Sequence, residues 1–293
     1  MAETTPLLEC RKVSKAFGAV QALYRVDFEI RPGEVMALVG DNGAGKSTLI
    51  KGIAGIYPFD EGEVLLDGNQ VHIHGPRDAA RLGIEVVYQD LALADNLDVV
   101  ANMFLGRERT RTGVVLDESA MERSSRETLD SLSVTTLQSV RQAVAGLSGG
   151  QRQSVAVAKA VMWNSRIVIL DEPTAALGVA QTRQVLNLVR RLAEHDLGVA
   201  IVTHNLHDVF EVADRITVLR LGQRVALFER EKTTQQEVVH AITAGAALDE
   251  TGESQTLSGY LRLWWQGVRA GELGSLPIIV GIGVIVVTFG LLE

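Results

Sequence analysis

Four short runs along the chain are almost wholly apolar: VMALVG (Val35 to Gly40), IEVVYQ (Ile84 to Gln89), IVILD (Ile167 to Asp171) and VAIVTH (Val199 to His204). Continuous Val, Ile, Leu and Ala over so few residues predict strands buried on both faces. Helix-like stretches lie between them, at Lys46 to Ala54, Arg152 to Met162 and Val179 to Ala193. Alternating β and α units predict a mostly parallel sheet covered by helices. Cys10 to Ile30, Gly62 to Ile73 (turning at Asp67-Gly68) and Arg215 to Phe228 (turning at Leu221-Gly222) predict antiparallel hairpins instead. Residues from about Leu91 to Gly146 have no strong strand run and read as a small, mainly helical insertion, with N-capping material at Asp117 and Ser119. No internal repeat is visible.

Composition narrows this picture. Of 293 residues, 46% are hydrophobic and 22% charged, which predicts a folded chain with a substantial core. The 36 acidic residues outnumber the 28 basic ones, and a net charge of −8 disfavours nonspecific nucleic-acid binding. Cys10 is the single cysteine, so no intramolecular disulfide is possible and nothing calls for an oxidising compartment. The N-terminus MAETTPLLECRK has neither the basic head nor the apolar stretch of a signal peptide, so cytoplasmic residence is expected.

Chemistry enters with GDNGAGKS, Gly40 to Ser47, set between an apolar strand and a helix. The glycines let successive amides converge on one point, and the helix start adds its positive end, so the loop suits a triphosphate. The candidate contacts are Gly40, Asp41, Asn42, Gly43, Ala44, Gly45, Lys46, Ser47 and Thr48, with Lys46 on the β and γ phosphates and Ser47 offering its hydroxyl to Mg²⁺. In IVILDEP the third apolar strand ends in two adjacent carboxylates, at the sheet edge where open α/β folds bind ligands. Asp171 suits the metal shell and Glu172 the polarisation of an attacking water. LSGGQRQ, Leu147 to Gln153, puts a serine and two glycines at a helix start and forms a second anion site. One nucleotide does not require two cradles in one chain. The second is therefore expected to face another molecule, in a dimer with ATP held between subunits.

GDNGAGKS, LSGGQ and LDEP in this order and spacing resemble the nucleotide-binding cassette of ABC proteins, over roughly Leu7 to Gly245. The resemblance implies an α/β P-loop NTPase fold with a mostly parallel sheet core, an antiparallel β subdomain and an α-helical subdomain at about 91–146. It implies that Phe17 stacks on adenine, that Gln89 senses Mg²⁺ and the γ-phosphate beside the surface that grips a membrane subunit, and that His204 contacts the γ-phosphate. Read without it, Phe17 is equally a core aromatic in a hairpin, Gln89 a polar strand end and His204 a satisfied histidine at a sheet edge. It also assigns Ser148, Gly149, Gly150 and Gln151 to the partner's ATP, Glu172, His204, Gln89 and Lys46 to catalysis, and Ser47, Gln89 and Asp171 to the metal. His72, His74 and His207 match no role and read as surface residues. One departure stands in EPTAALGVAQ, where Gly178 replaces the aspartate most cassettes carry in the loop crossing the dimer interface.

The EPTAALG wording and the stretch His204 to Val225 are most similar to bacterial importers of fructose, ribose or xylose. This implies an ATP-hydrolysing motor on the cytoplasmic face of the membrane, acting as a homodimer with permease subunits and, indirectly, a periplasmic or extracellular sugar-binding protein. No nucleic acid is expected as a partner. The alternative is a soluble ABC ATPase working on DNA or the ribosome. A metabolite kinase would have no reason for LSGGQ.

The far end is of another kind. Residues 1–245 read as the nucleotide-binding domain and 246–258, rich in Glu, Thr, Gly, Ser and Gln, as a linker. In 259–293, Tyr260, Trp264 and Trp265 lie near Arg262 and Arg269, ahead of a stretch from Leu273 to Leu292 with no charge in 20 residues. That length suffices to cross a bilayer as a helix, with aromatics and arginines on the cytoplasmic side. A permease span fused to the cassette, a membrane anchor, a reading-frame artefact and an apolar helix packed on the cassette all fit. The expectation is a tail that inserts in or adheres to membrane.

Overall fold

The computed structural model describes residues 5–244, residue 112 excepted. The linker and apolar-helix assignments for residues 246–293 lie outside the described residues.

Two sheets carry the fold. β1 (Leu8–Phe17), β2 (Val20–Ile30), β4 (Glu61–Leu66) and β5 (Asn69–Gln70) form an antiparallel sheet in the order β2-β1-β4-β5. The second sheet contains β3 (Val35–Val39), β6 (Ile84–Val87), β7 (Ile167–Asp171), β8 (Gly198–Val202), β9 (Arg215–Arg220) and β10 (Gln223–Glu229). Its order is β10-β9-β3-β8-β7-β6, with every pairing parallel except the β9/β10 hairpin. The helices are α1 (Lys46–Ile53), α2 (Pro76–Arg81), α3 (Val99–Phe104), α4 (Glu118–Ser131), α5 (Gly149–Val161), α6 (Val179–Glu194), α7 (Leu206–Val212) and α8 (Gln235–Ala244).

The second sheet is a middle layer, which is why its strands show no apolar and polar alternation. Val35, Ala37 and Val39 of β3, with Val168, Leu170, Val199 and Ile201, pack into a core with α5 and α6. Met36 and Leu38, with Ile167, Ile169, Ala200 and Val202, enter a second core with β1, β2 and α1. Successive residues of one strand thus feed two cores, and every residue from Val35 to Val39 is buried. Cys10 lies in the second core, where burial pushes its thiol up to about 12 and leaves it inert.

Several boundaries move. β6 stops at Val87, so Gln89 does not end a strand but lies exposed in the loop beyond it; β8 likewise ends two residues before His204. α5 begins at Gly149, which draws the LSGGQ glycines into the helix. Among the described residues of the 91–146 segment, only α3 and α4 are α-helical. Asp117 caps α4, its carboxylate accepting from the Ala120 amide at 3.2 Å, whereas Ser119 falls inside the helix. Asp98 caps α3 in the same way, accepting from Ala101 at 2.7 Å. Fully buried Asn102 stitches the preceding loop together, donating to the carbonyls of Ala94 and Asp98 at 3.0 Å and accepting from the Ala94 amide at 2.7 Å.

Candidate functional site

The Gly40–Ser47 loop leaves the buried end of β3 and turns straight into α1. Gly45, at φ +102°, is the N-cap, and a Cβ there would lie 2.8 Å from the Ala22 carbonyl, so the loop closes only with glycine. Among the described residues no side chain caps α1, so its first amides stay available to an anion. Lys46 is buried, and its ammonium donates to the carbonyls of Gly40 at 2.7 Å and Asp41 at 3.0 Å. Burial holds this ammonium below the usual lysine range, against the pull of Glu172, Asp41 and Asp171. Asp41, Asn42, Gly43 and Ser47 are exposed, Thr48 is half-buried and Ala44 is buried.

The register of β7 on β8 pairs Asp171 with Val202, so Glu172 emerges beside Thr203 and His204. Glu172 turns through a left-handed conformation (φ +50°), its amide held by the Val202 carbonyl at 2.8 Å. Its carboxylate then meets His204 Nδ1 at 2.9 Å on one oxygen and the buried Thr203 hydroxyl at 3.3 Å on the other. The Glu172 side chain is 18% exposed and that of His204 73%, so the acid is sheltered and the imidazole faces outward. Burial, and then the charge of Glu172, push the Asp171 carboxyl above the usual carboxylate range, with Lys51 and Lys46 pulling the other way. Behind the site, the buried Thr174 hydroxyl donates to Asp208 at 2.6 Å and fixes the loop after Glu172 to α7.

Phe17 reaches this region from the other sheet. It is 47% exposed, not a core aromatic, and its ring meets Tyr57 edge to face with centroids 5.1 Å apart. The Tyr57 hydroxyl donates to the Thr48 carbonyl in α1 at 3.0 Å, which ties the aromatic pair to the loop helix. Lys15, bonded to Asp60 at 2.6 Å, lies over both rings. Tyr57 and Thr203 were not singled out by sequence reasoning; their signals were adjacency to the end of the loop helix and to His204.

The helix start expected to form a second anion site stands apart. Ser148 caps α5, accepting from the Gln151 amide at 3.4 Å, while Gln151 Oε1 accepts from the Ser148 amide at 2.8 Å. Gln151 also donates to the Thr136 carbonyl at 2.6 Å, and Gly149 and Gly150 sit closely against Leu177 and Gln181. Among the described residues these contacts run to the insertion and to the start of α6, not to the Gly40–Ser47 loop. Gly178 is the α6 N-cap with open space where a side chain would stand.

The donor set suits a hard divalent cation. Asp171 belongs to a carboxylate pair with Glu172 whose mutual repulsion a cation would relieve, and Ser47 presents an exposed hydroxyl in the first turn of α1. Among the described residues no group of three or more His, Cys, Asp or Glu could hold a metal ion. His72 and His74 stack at 6.3 Å on an exposed segment, and His207 is exposed.

Comparison with known proteins follows the same lines. The ABC transporter family model matches residues 23–175. A fructose import ATP-binding protein of Rhizobium meliloti is 46% identical over 244 residues, 81% of this chain and 94% of that protein. A xylose/arabinose import ATP-binding protein of Sulfolobus acidocaldarius is 48% identical over 240 residues, 82% of this chain and 95% of the relative. A ribose import ATP-binding protein of Rubrobacter xylanophilus is 42% identical over 291 residues, which cover 95% of this chain but 58% of that longer protein. Among solved structures, a dimeric ATP-binding cassette bound to ADP and phosphate is 25% identical, with a TM-score of 0.64, and covers 76% of this chain and 98% of its own.

Proposed function

The chain belongs to the ABC transporter family of ATP-binding cassettes, and on that premise we propose that it is the ATP-hydrolysing motor of a monosaccharide importer. Members of this family are ATPases. The observation that carries the mechanism is the Glu172–His204 pair at the mouth of the Gly40–Ser47 loop, on the same sheet edge.

In this reading the loop amides and Lys46 bind the β and γ phosphates, and Phe17 stacks on the base. Ser47 and Asp171, with Gln89 from its exposed loop, would hold a magnesium ion, which supplies charge neutralisation on the phosphates when bound. Glu172 orients the attacking water and takes its proton. His204, held by Glu172 through Nδ1, directs its other ring nitrogen outward, toward the place of the γ-phosphate. Phosphoryl transfer leaves little covalent work to the protein, so the acceleration comes from positioning and charge.

Each site is completed by a second copy, whose α5 start, Ser148 to Gln151, presents the Gly149 and Gly150 amides to the same γ-phosphate. Two chains then close on two ATP molecules and reopen after hydrolysis. The motion would reach a membrane permease through the groove between the Gln89 loop, the 91–146 insertion and α5. The names of the relatives support fructose or a pentose as cargo, delivered by an external binding protein, with the motor on the cytoplasmic face of the membrane.

The test is sedimentation of Glu172→Gln with ATP and magnesium. Dimerisation that requires ATP supports the reading, and a strictly monomeric protein, alone and with its permease, overturns it.

A further inference from the structure

The groove of about 240 Å³ beside the Gln89 loop has an apolar lining that includes Leu91, Leu105, Ala156 and Trp163. Four charges share it: Glu85, Asp90, Arg107 and Lys159. Three of them are engaged. Arg107 donates to Glu85 at 3.3 Å with its guanidinium 5.2 Å over the Trp163 ring, and Asp90 accepts from the Ala92 amide at 3.3 Å.

Lys159 is different. Its side chain rises half-buried from the last turn of α5, and among the described residues no carboxylate pairs with it. Glu85 acts on it only at longer range, while burial and then Arg107 hold the ammonium below the usual lysine range. The carbonyl end of α5 offsets this only weakly, far less than a paired carboxylate would. A cation desolvated in an aromatic and aliphatic groove is a binding site short of its counter-charge.

We infer that Lys159 is the groove's specificity contact and receives a carboxylate from the permease segment that docks there, its apolar neighbours covering Leu91, Leu105 and Trp163. This rests on the transport reading above, because the groove borders the loop and insertion through which closure would be transmitted. The occupant is thus a short membrane-protein segment with one Asp or Glu between apolar residues.

The experiment replaces the chromosomal copy in the source organism with K159R, K159M or K159E. It measures uptake of labelled fructose, ribose, xylose and arabinose, together with ATP turnover by each purified full-length chain. Turnover should stay within about twofold in all three, since Lys159 is none of the residues assigned to the nucleotide or its metal. K159R should keep uptake, and K159E should lose it at least about thirtyfold, as when one partner of a desolvated charge pair is removed. K159M, which keeps the length without the charge, should fall between them and serves if K159E fails to fold. Suppressors of K159E should exchange an acid for a base in a membrane-spanning protein.

Uptake by K159E at the wild-type rate would overturn the assignment and leave the transport reading standing, as would equal losses in K159R and K159E, or suppressors confined to soluble proteins. If the wild type carries none of the four sugars, the transport reading falls and the assignment falls with it.

Discussion

His204 Nδ1 lies 2.9 Å from the Glu172 carboxylate, across 32 residues of sequence, because β7 and β8 run in parallel register up to Asp171 and Val202. The two side chains therefore act as one unit. Glu172→Gln should retain ATP binding and slow turnover by about 10² or more, the share of a general base. His204→Ala should also slow turnover, and the double variant should fall short of the sum, because neither residue works without the other. Single-turnover rates on the four proteins check this, and strict additivity would separate the roles.

Lys46 supports the loop as well as the phosphates, through its bonds to Gly40 and Asp41. Lys46→Ala should abolish tight nucleotide binding, which isothermal titration reads directly. Because burial already depresses this ammonium, wild-type affinity should weaken on the alkaline side at lower pH than an ordinary lysine would allow.

Phe17 is half exposed against Tyr57 and has little to lose in folding. Phe17→Ala should leave the melting temperature nearly unchanged while weakening ATP by about 1–3 kcal/mol, the worth of stacking one base on an aromatic ring. Equal binding of ATP and inorganic triphosphate by wild type and variant alike would remove Phe17 from the site.

Ser148 has two separable duties. Ser148→Ala removes the α5 cap and should cost about 0.5–2 kcal/mol of stability. Ser148→Asp keeps a capping oxygen, so denaturant midpoints should stay near wild type, yet its charge would face the partner's γ-phosphate and block ATP-driven dimerisation. Stable, ATP-dependent dimers of this variant would show that the α5 start does not meet phosphate.

Arg166, just before β7, donates to both oxygens of Asp67 at 2.6 and 2.8 Å and joins the two sheets. That hydrogen bonding holds the Asp67 carboxyl below the usual carboxylate range. A depressed acid contributes stability above its unfolded value, near pH 4, and loses it as pH falls through the lower folded value. Both side chains are nearly half exposed, so Asp67→Asn should cost at most about 1 kcal/mol at pH 7. Thermal melts from pH 7 to pH 3 should show this difference shrinking towards zero.

The sequence by itself determined the glycine-rich turn between β3 and α1 and the two-sided burial of the central strands. Both depend on residues adjacent in the chain, whose backbone geometry and apolar content act locally. It did not place Gln89, whose strand ends at Val87, because an apolar run marks burial and not the last ladder bond. Nor did it show Tyr57 holding Phe17 to α1, Thr203 on Glu172, or Lys159 without a counter-charge. Those relationships join residues far apart in sequence. Strand register sets Thr203 on Glu172, the approach of β1 to the segment after α1 sets Phe17 on Tyr57, and the packing of α5 against the insertion sets the surroundings of Lys159, so tertiary structure decided them.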